Sequence, residues 1–209
     1  MRKPTYLGTG GDRSKYPQAY VAGRLGAVEK DVAICLTASR LPRRSTPTHA
    51  YFPALATCCA FLEHLAALLR GKTKGLGHPD AYAFANCFMR QPDYNAEVVR
   101  VLFVGFRNPV AHLGVANGVW MDGTGAAARR LTWKLTADAR FPGCEIVTES
   151  GTLVLHPPWP CGYTHRVHIH LRRLLIDLRD GASAYAAALT SDPDLRKRFY
   201  RVMDGVYPR

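Results

Sequence analysis

The stretch VLFVGFRNPVAHLG, residues 101–114, places Arg107, Asn108 and His112 close together after a strongly apolar run. These side chain types form a toolkit for cleaving RNA. An imidazole titrates near working pH, so His112 can take the proton of a ribose 2′-hydroxyl or return one to the leaving oxygen. The Arg107 guanidinium can hold the scissile phosphate with two donors and stabilise charge in the transition state. Asn108 can orient either one. Such a scheme requires no metal and no cofactor, and it leaves a 2′,3′-cyclic phosphate.

Helix geometry limits the idea. Residues five apart on a straight helix differ by about 140° around the axis, so Arg107 and His112 would not share a face. Pro109 changes this. It disfavours helical backbone at Asn108 and would clash with the Gly105 carbonyl in a straight helix. The expectation is a kink, or a fresh turn capped by Asn108; either swings Arg107 toward His112. A similar Arg-to-His spacing links Arg43 and Arg44 to His49, but in a proline-broken loop. The bland alternative has Arg107 bonding helix carbonyls and His112 satisfied in a core or interface.

The order R-N-P-V-A-H resembles the R-N-x-x-x-H signature of HEPN-domain proteins, helical bundles rich in ribonucleases. The apolar run before it and the trailing His-Leu-Gly are also similar. The resemblance is close over 101–114 and looser over helices at 17–38, 51–70, 80–90 and 95–114. It implies that Arg107, Asn108 and His112 are the catalytic residues of a metal-independent endoribonuclease. It implies a homodimer in which two copies of the Arg107/His112 face meet. Many members of the family are toxins or defence components, so an antitoxin or other protein partner is a further candidate. Other members bind nucleotides or lack catalysis, so the alternative is a non-catalytic module binding a nucleotide, RNA or a protein. A dimer in which Arg107 and His112 merely pack is a third reading.

The elements that must position these residues are mostly helical. Residues 1–15, with Gly8, Gly10 and Gly11, read as a flexible arm. Val21, Leu25, Val28, Val32 and Cys35 trace one helix face, and Leu55, Cys58, Cys59, Leu62, Leu65 and Leu69 trace another that Gly71 should stop. Asp93 can cap the helix that leads into the motif. From 115 to 160 the period falls to two. Leu131, Trp133 and Leu135 alternate with polar residues, and 144–148 and 152–156 read as strands joined at Glu149, Ser150 and Gly151. HPPWPCGY, with three prolines, is excluded from helix and from a central strand. Helix is expected again from His168, and Asp192–Pro193 open a last one. The prediction is one α+β domain over 1–209, mainly α: a HEPN-like bundle (17–114), an inserted antiparallel β-meander (115–160) and C-terminal helices (165–209).

Composition supports a polyanion partner. The 209 residues carry 28 Lys and Arg against 16 Asp and Glu, a net charge of +12. Phosphate contacts release counterions, so RNA fits such an excess. Arg43, Arg44, Lys72 and Lys74 are the candidate RNA-binding cations. Glu63, beside the apolar stripe of the second helix, is a candidate support for Arg107; the other reading leaves Glu63 and His64 solvated. His156, His165, His168 and His170 cluster near Cys161. On a helix His168 and His170 diverge by about 200°, and Arg166, Arg172 and Arg173 would repel a cation, so no metal is expected. No CxxC finger, Walker motif or Gly-x-Ser-x-Gly elbow occurs. No apolar run of about 20 residues and no signal-peptide pattern are read. A reduced, cytoplasmic chain with cysteines as small core residues is expected.

Overall fold

A computed structural model describes residues 14–37, 50–109, 118–125, 128–155 and 159–207. Among these residues the fold is α+β and mainly α. Helices α1 (Tyr16–Leu36), α2 (Tyr51–Arg70), α3 (His78–Phe88) and α4 (Ala96–Val101) precede strands β1 (Trp120–Asp122), β2 (Arg129–Thr136), β3 (Cys144–Leu155) and β4 (Trp159–His170). Helices α5 (Leu171–Ser191) and α6 (Pro193–Val206) follow.

Helix α2 is the centre of the bundle. The expected stripe from Leu55 to Leu69 is buried, and Ala54, Phe61, Ala66, Ala67 and Leu68 are buried with it. Such a wide apolar surface needs partners on several sides. α1, α3, α5, α6 and the chain after α4 supply them. By length and composition α2 is apolar enough to cross a membrane, contrary to the sequence reading. Its packing here is that of a core helix. Gly71 ends it in the left-handed conformation, φ 68°, where a glycine meets no steric penalty.

The chain into the motif differs from expectation in two ways. Asn95, not Asp93, caps α4; its side chain accepts from the Glu97 and Val98 N–H groups. Asp93 instead lies 3.5 Å from Arg90. After Val101 the helix widens into a π-helical segment, Leu102–Arg107, and the Asn108 N–H donates to the Phe103 carbonyl five residues back. Pro109 therefore neither breaks the helix at Asn108 nor makes it a cap: Asn108 keeps helical angles, φ −69° and ψ −52°. Wider turns move the Gly105 carbonyl away from the proline ring, which relieves the clash without a break. Residues 110–117 lie outside the described set.

The sheet is mixed rather than antiparallel, in the order β1-β2-β4-β3. β1–β2 and β3–β4 are antiparallel, but β2 and β4 run parallel. It is not a meander confined to 115–160, because β4 extends to His170 and α5 begins only at Leu171. Residues 149–151 are no turn; β3 runs through them with a register irregularity between Thr148 and Gly151. Gly151 is required there because the Tyr163 hydroxyl occupies the place of a Cβ. The proline-rich run enters β4 after all. Pro160 pairs with Val154 on β3, but β2 joins β4 only from His165 onward, so Pro160 sits where β4 has one neighbour.

A charged network ties the sheet to the bundle. Buried Asp122 of β1 accepts from Arg100 of α4 at 2.6 and 2.9 Å, and from Arg129 of β2, which also pairs with Glu97 of α4 at 2.6 Å. The Arg100 hydrogen bonds, and then those of Arg129, hold the Asp122 carboxyl below its ordinary value of 3.8 despite burial. A depressed carboxyl stabilises the fold above its unfolded value, and that stability is lost as pH falls through the folded value. Asp122→Asn is expected to lower the unfolding free energy by about 1.5–3 kcal/mol near neutral pH. In urea denaturation, wild type and variant should converge as pH drops below 3.8.

Candidate active site

Arg107 closes the π-helical segment and faces α2. Its Nε and Nη2 both donate to Glu63 Oε2, at 3.0 and 2.6 Å, and its Nη1 donates to Asn108 Oδ1 at 3.2 Å. Glu63 is therefore not a solvated residue beside His64. α2 is buried around it, and the side chain left at the rim of that buried face meets the guanidinium of the neighbouring helix. The pair is partly open, with 30% of the Arg107 and 20% of the Glu63 side chain exposed. Three of the five guanidinium N–H donors are committed, which leaves one on each terminal nitrogen for a phosphate.

The sheet holds this end of the helix from the other side. Trp120 of β1 lies against Gly105, where its ring fills the place a Cβ would take. The same ring packs edge-on against Phe106 at 5.4 Å. Any side chain at 105 would displace Trp120 and shift the turn that aims Arg107. Arg100, Asp122 and Trp120 carry little local signal in the sequence. The signal was present in one form only: a glycine inside a strongly apolar helix marks a close approach.

Other candidates fall in different places. His112 belongs to residues 110–117, and Arg43 and Arg44 to residues 38–49, all outside the described set. Lys72 and Lys74 are exposed in the loop after α2. Lys72 reaches within 3.8 Å of Asp80 and shares with Glu63, His64 and Thr73 the wall of a cavity of about 250 Å³. His64 contributes no cation there. Burial, and then Arg24, pushes its imidazole down to about 4, and its Nε2 lies 3.2 Å from the Tyr20 hydroxyl. Cys59, one turn before Glu63, is fully enclosed; burial raises its thiol to about 12, so it offers no thiolate near neutral pH. Cys58, Cys59 and Cys144 are buried as small core residues, while Cys87 is exposed.

A larger concavity of about 650 Å³ lies on α6, beside Arg196, Lys197 and Arg201. Two of its cations are engaged: Arg196 donates to the carbonyls of Leu189 and Thr190, and Lys197 sits 3.3 Å from Asp194. Far along the sequence from the motif, Glu145, His168 and His170 form a His/carboxylate cluster.

No family model, curated protein or solved structure matches this chain. The reading of the site therefore stands on its residues and geometry. A double-mutant cycle with Glu63→Gln and Arg107→Gln is expected to give a coupling of about 1 kcal/mol in urea denaturation. Zero coupling would mean that the pair does not fix Arg107.

Proposed function

We propose that the chain is a metal-independent, HEPN-like endoribonuclease whose catalytic residues are Arg107, Asn108 and His112. One observation carries the reading. Arg107 is held by a carboxylate from a neighbouring helix, beside Asn108, with part of its guanidinium open to solvent. A guanidinium kept in one orientation and only partly satisfied suits an incoming phosphate. The net charge of +12 favours a polyanionic substrate.

In this reading His112 removes the proton from a ribose 2′-hydroxyl as the 2′-oxygen attacks the adjacent phosphorus. The bond from phosphorus to the 5′-oxygen breaks, and that oxygen takes up a proton. Arg107 stabilises the charge on the phosphoryl oxygens, and Asn108 holds the guanidinium and orients the phosphate. The products are a 2′,3′-cyclic phosphate and a 5′-hydroxyl. A homodimer that brings two Arg107/His112 faces together supplies one imidazole as base and one as acid. Lys72, on the wall of the cavity that Glu63 also lines, extends the cationic surface, and Lys74 follows in the same exposed loop.

A second reading is favoured by the Glu63 contact itself. Glu63 occupies two Arg107 donors, so Arg107 has a structural partner even without substrate. A non-catalytic module would bind RNA in a salt-dependent way and leave it intact. Cleavage of a mixed-sequence RNA in EDTA separates the two. His112→Ala is expected to lower the rate by roughly 10²- to 10⁴-fold while the chain stays folded. A fully active His112→Ala protein would exclude the assignment.

A further inference from the structure

The cluster on the polar face of the sheet has the composition and the surroundings of a metal site. His168 and His170 lie two apart on β4, not on a helix, so both imidazoles leave the same face of the strand. Glu145 of β3 is the direct cross-strand neighbour of His168. One ligand atom from each of Glu145, His168 and His170 lies within 4.8 Å of the others. The divergence of about 200° expected on a helix thus disappears, because β4 continues to His170 where a helix from His168 was expected.

Two details point to a cation. The first is His170. Its Nδ1 lies 2.7 Å from Asp138 Oδ1 and 2.9 Å from the Thr136 hydroxyl. A carboxylate on one imidazole nitrogen fixes the tautomer and the ring orientation and leaves Nε2 to ligate. The second is His168. Its Nε2 is buried with no hydrogen-bond partner and lies 3.6 Å from Glu149, while its Nδ1 is 4.0 Å from Glu145. The ring thus stands between two carboxylates with a buried nitrogen that makes no hydrogen bond, an environment that favours a shared positive centre.

The arginines that argued against a cation are occupied elsewhere. Arg166 pairs with Glu149 at 2.9 Å and with the Tyr163 hydroxyl, Arg173 pairs with Asp177 at 2.6 Å, and Arg172 is exposed on α5. Arg140 lies 3.4 Å from Asp138. Lys134, opposite His168 on β2, is exposed and free to turn to solvent.

We propose that Glu145, His168 and His170 bind one zinc-class divalent cation, with Asp138 positioning His170. Two imidazoles and a carboxylate suit Zn²⁺, Co²⁺ or Ni²⁺ rather than the all-oxygen preference of Mg²⁺ or Ca²⁺. Tetrahedral bonds of about 2.0–2.1 Å need ligand atoms roughly 3.4 Å apart. Rotation of the Glu145 and His168 side chains, both partly exposed, supplies the closure from within 4.8 Å. The bound ion staples β3 to β4 and to the β2–β3 loop that carries Asp138. It is independent of the Arg107 surface and takes no part in cleavage there.

The test is titration of the EDTA-stripped full chain with Co²⁺, followed by displacement with Zn²⁺. One equivalent of Co²⁺ should bind and give visible d–d bands without the near-ultraviolet thiolate charge-transfer band that any of the six cysteines would produce. Asp138→Asn leaves all three ligands in place and should weaken binding by about 10- to 100-fold. His168→Gln should weaken it further, and Glu145→Gln gives the same reading if His168→Gln does not fold. His165→Ala, on the other face of β4, should bind as the wild type does. Absence of one-equivalent binding, a thiolate band, or undiminished binding by Asp138→Asn together with Glu145→Gln would overturn the site.

Discussion

Burial of α2 on nearly every side is the constraint from which the rest follows. Its apolar surface draws α1, α3, α5, α6 and the π-helical segment around it. Only two charged side chains, Glu63 and Arg70, interrupt that helix. Each must leave at a rim and find a partner there, since an unpaired carboxylate or guanidinium beside a dry core is costly. Arg70 meets Asp80 of α3 at 2.9 Å, and Glu63 meets Arg107. The orientation of the proposed catalytic arginine is thus a consequence of how the core packs.

The second half of the chain works on the same helix from outside. β1 presses Trp120 onto Gly105, and the Arg100–Asp122–Arg129 network locks β1 and β2 to α4. The turn that carries Arg107 is held between α2 and the sheet. Widening that turn into π geometry absorbs the steric demand of Pro109 while keeping Arg107 and Asn108 on continuous helical backbone.

The helical part of this arrangement was legible because helix periodicity and stop signals are local. The α2 stripe, the Gly71 stop and the Asp192–Pro193 start are all found where the sequence puts them. Glu63 was legible as a candidate, since its place beside the stripe is fixed by the same period, but its partner was a tertiary fact. The sheet is less legible in the sequence, for a physical reason. Glycine and proline mark turns in sequence, yet Gly151 is there to admit Tyr163, and Pro160 is tolerated where β4 has a single neighbour. Pairing order is long-range, so no local pattern distinguishes a parallel β2–β4 pair from a meander. Extending β4 to His170 also changed the chemistry, because it placed His168 and His170 on one face.

The most direct test of the central claim is the end chemistry of RNA incubated with the purified chain in EDTA. If Arg107, Asn108 and His112 form a metal-independent site, fragments should carry 2′,3′-cyclic phosphate and 5′-hydroxyl ends, and a 2′-deoxy substitution at the scissile position should block cutting there. Intact RNA, fragments with 3′-hydroxyl ends, or cleavage after a 2′-deoxy nucleotide would contradict the account.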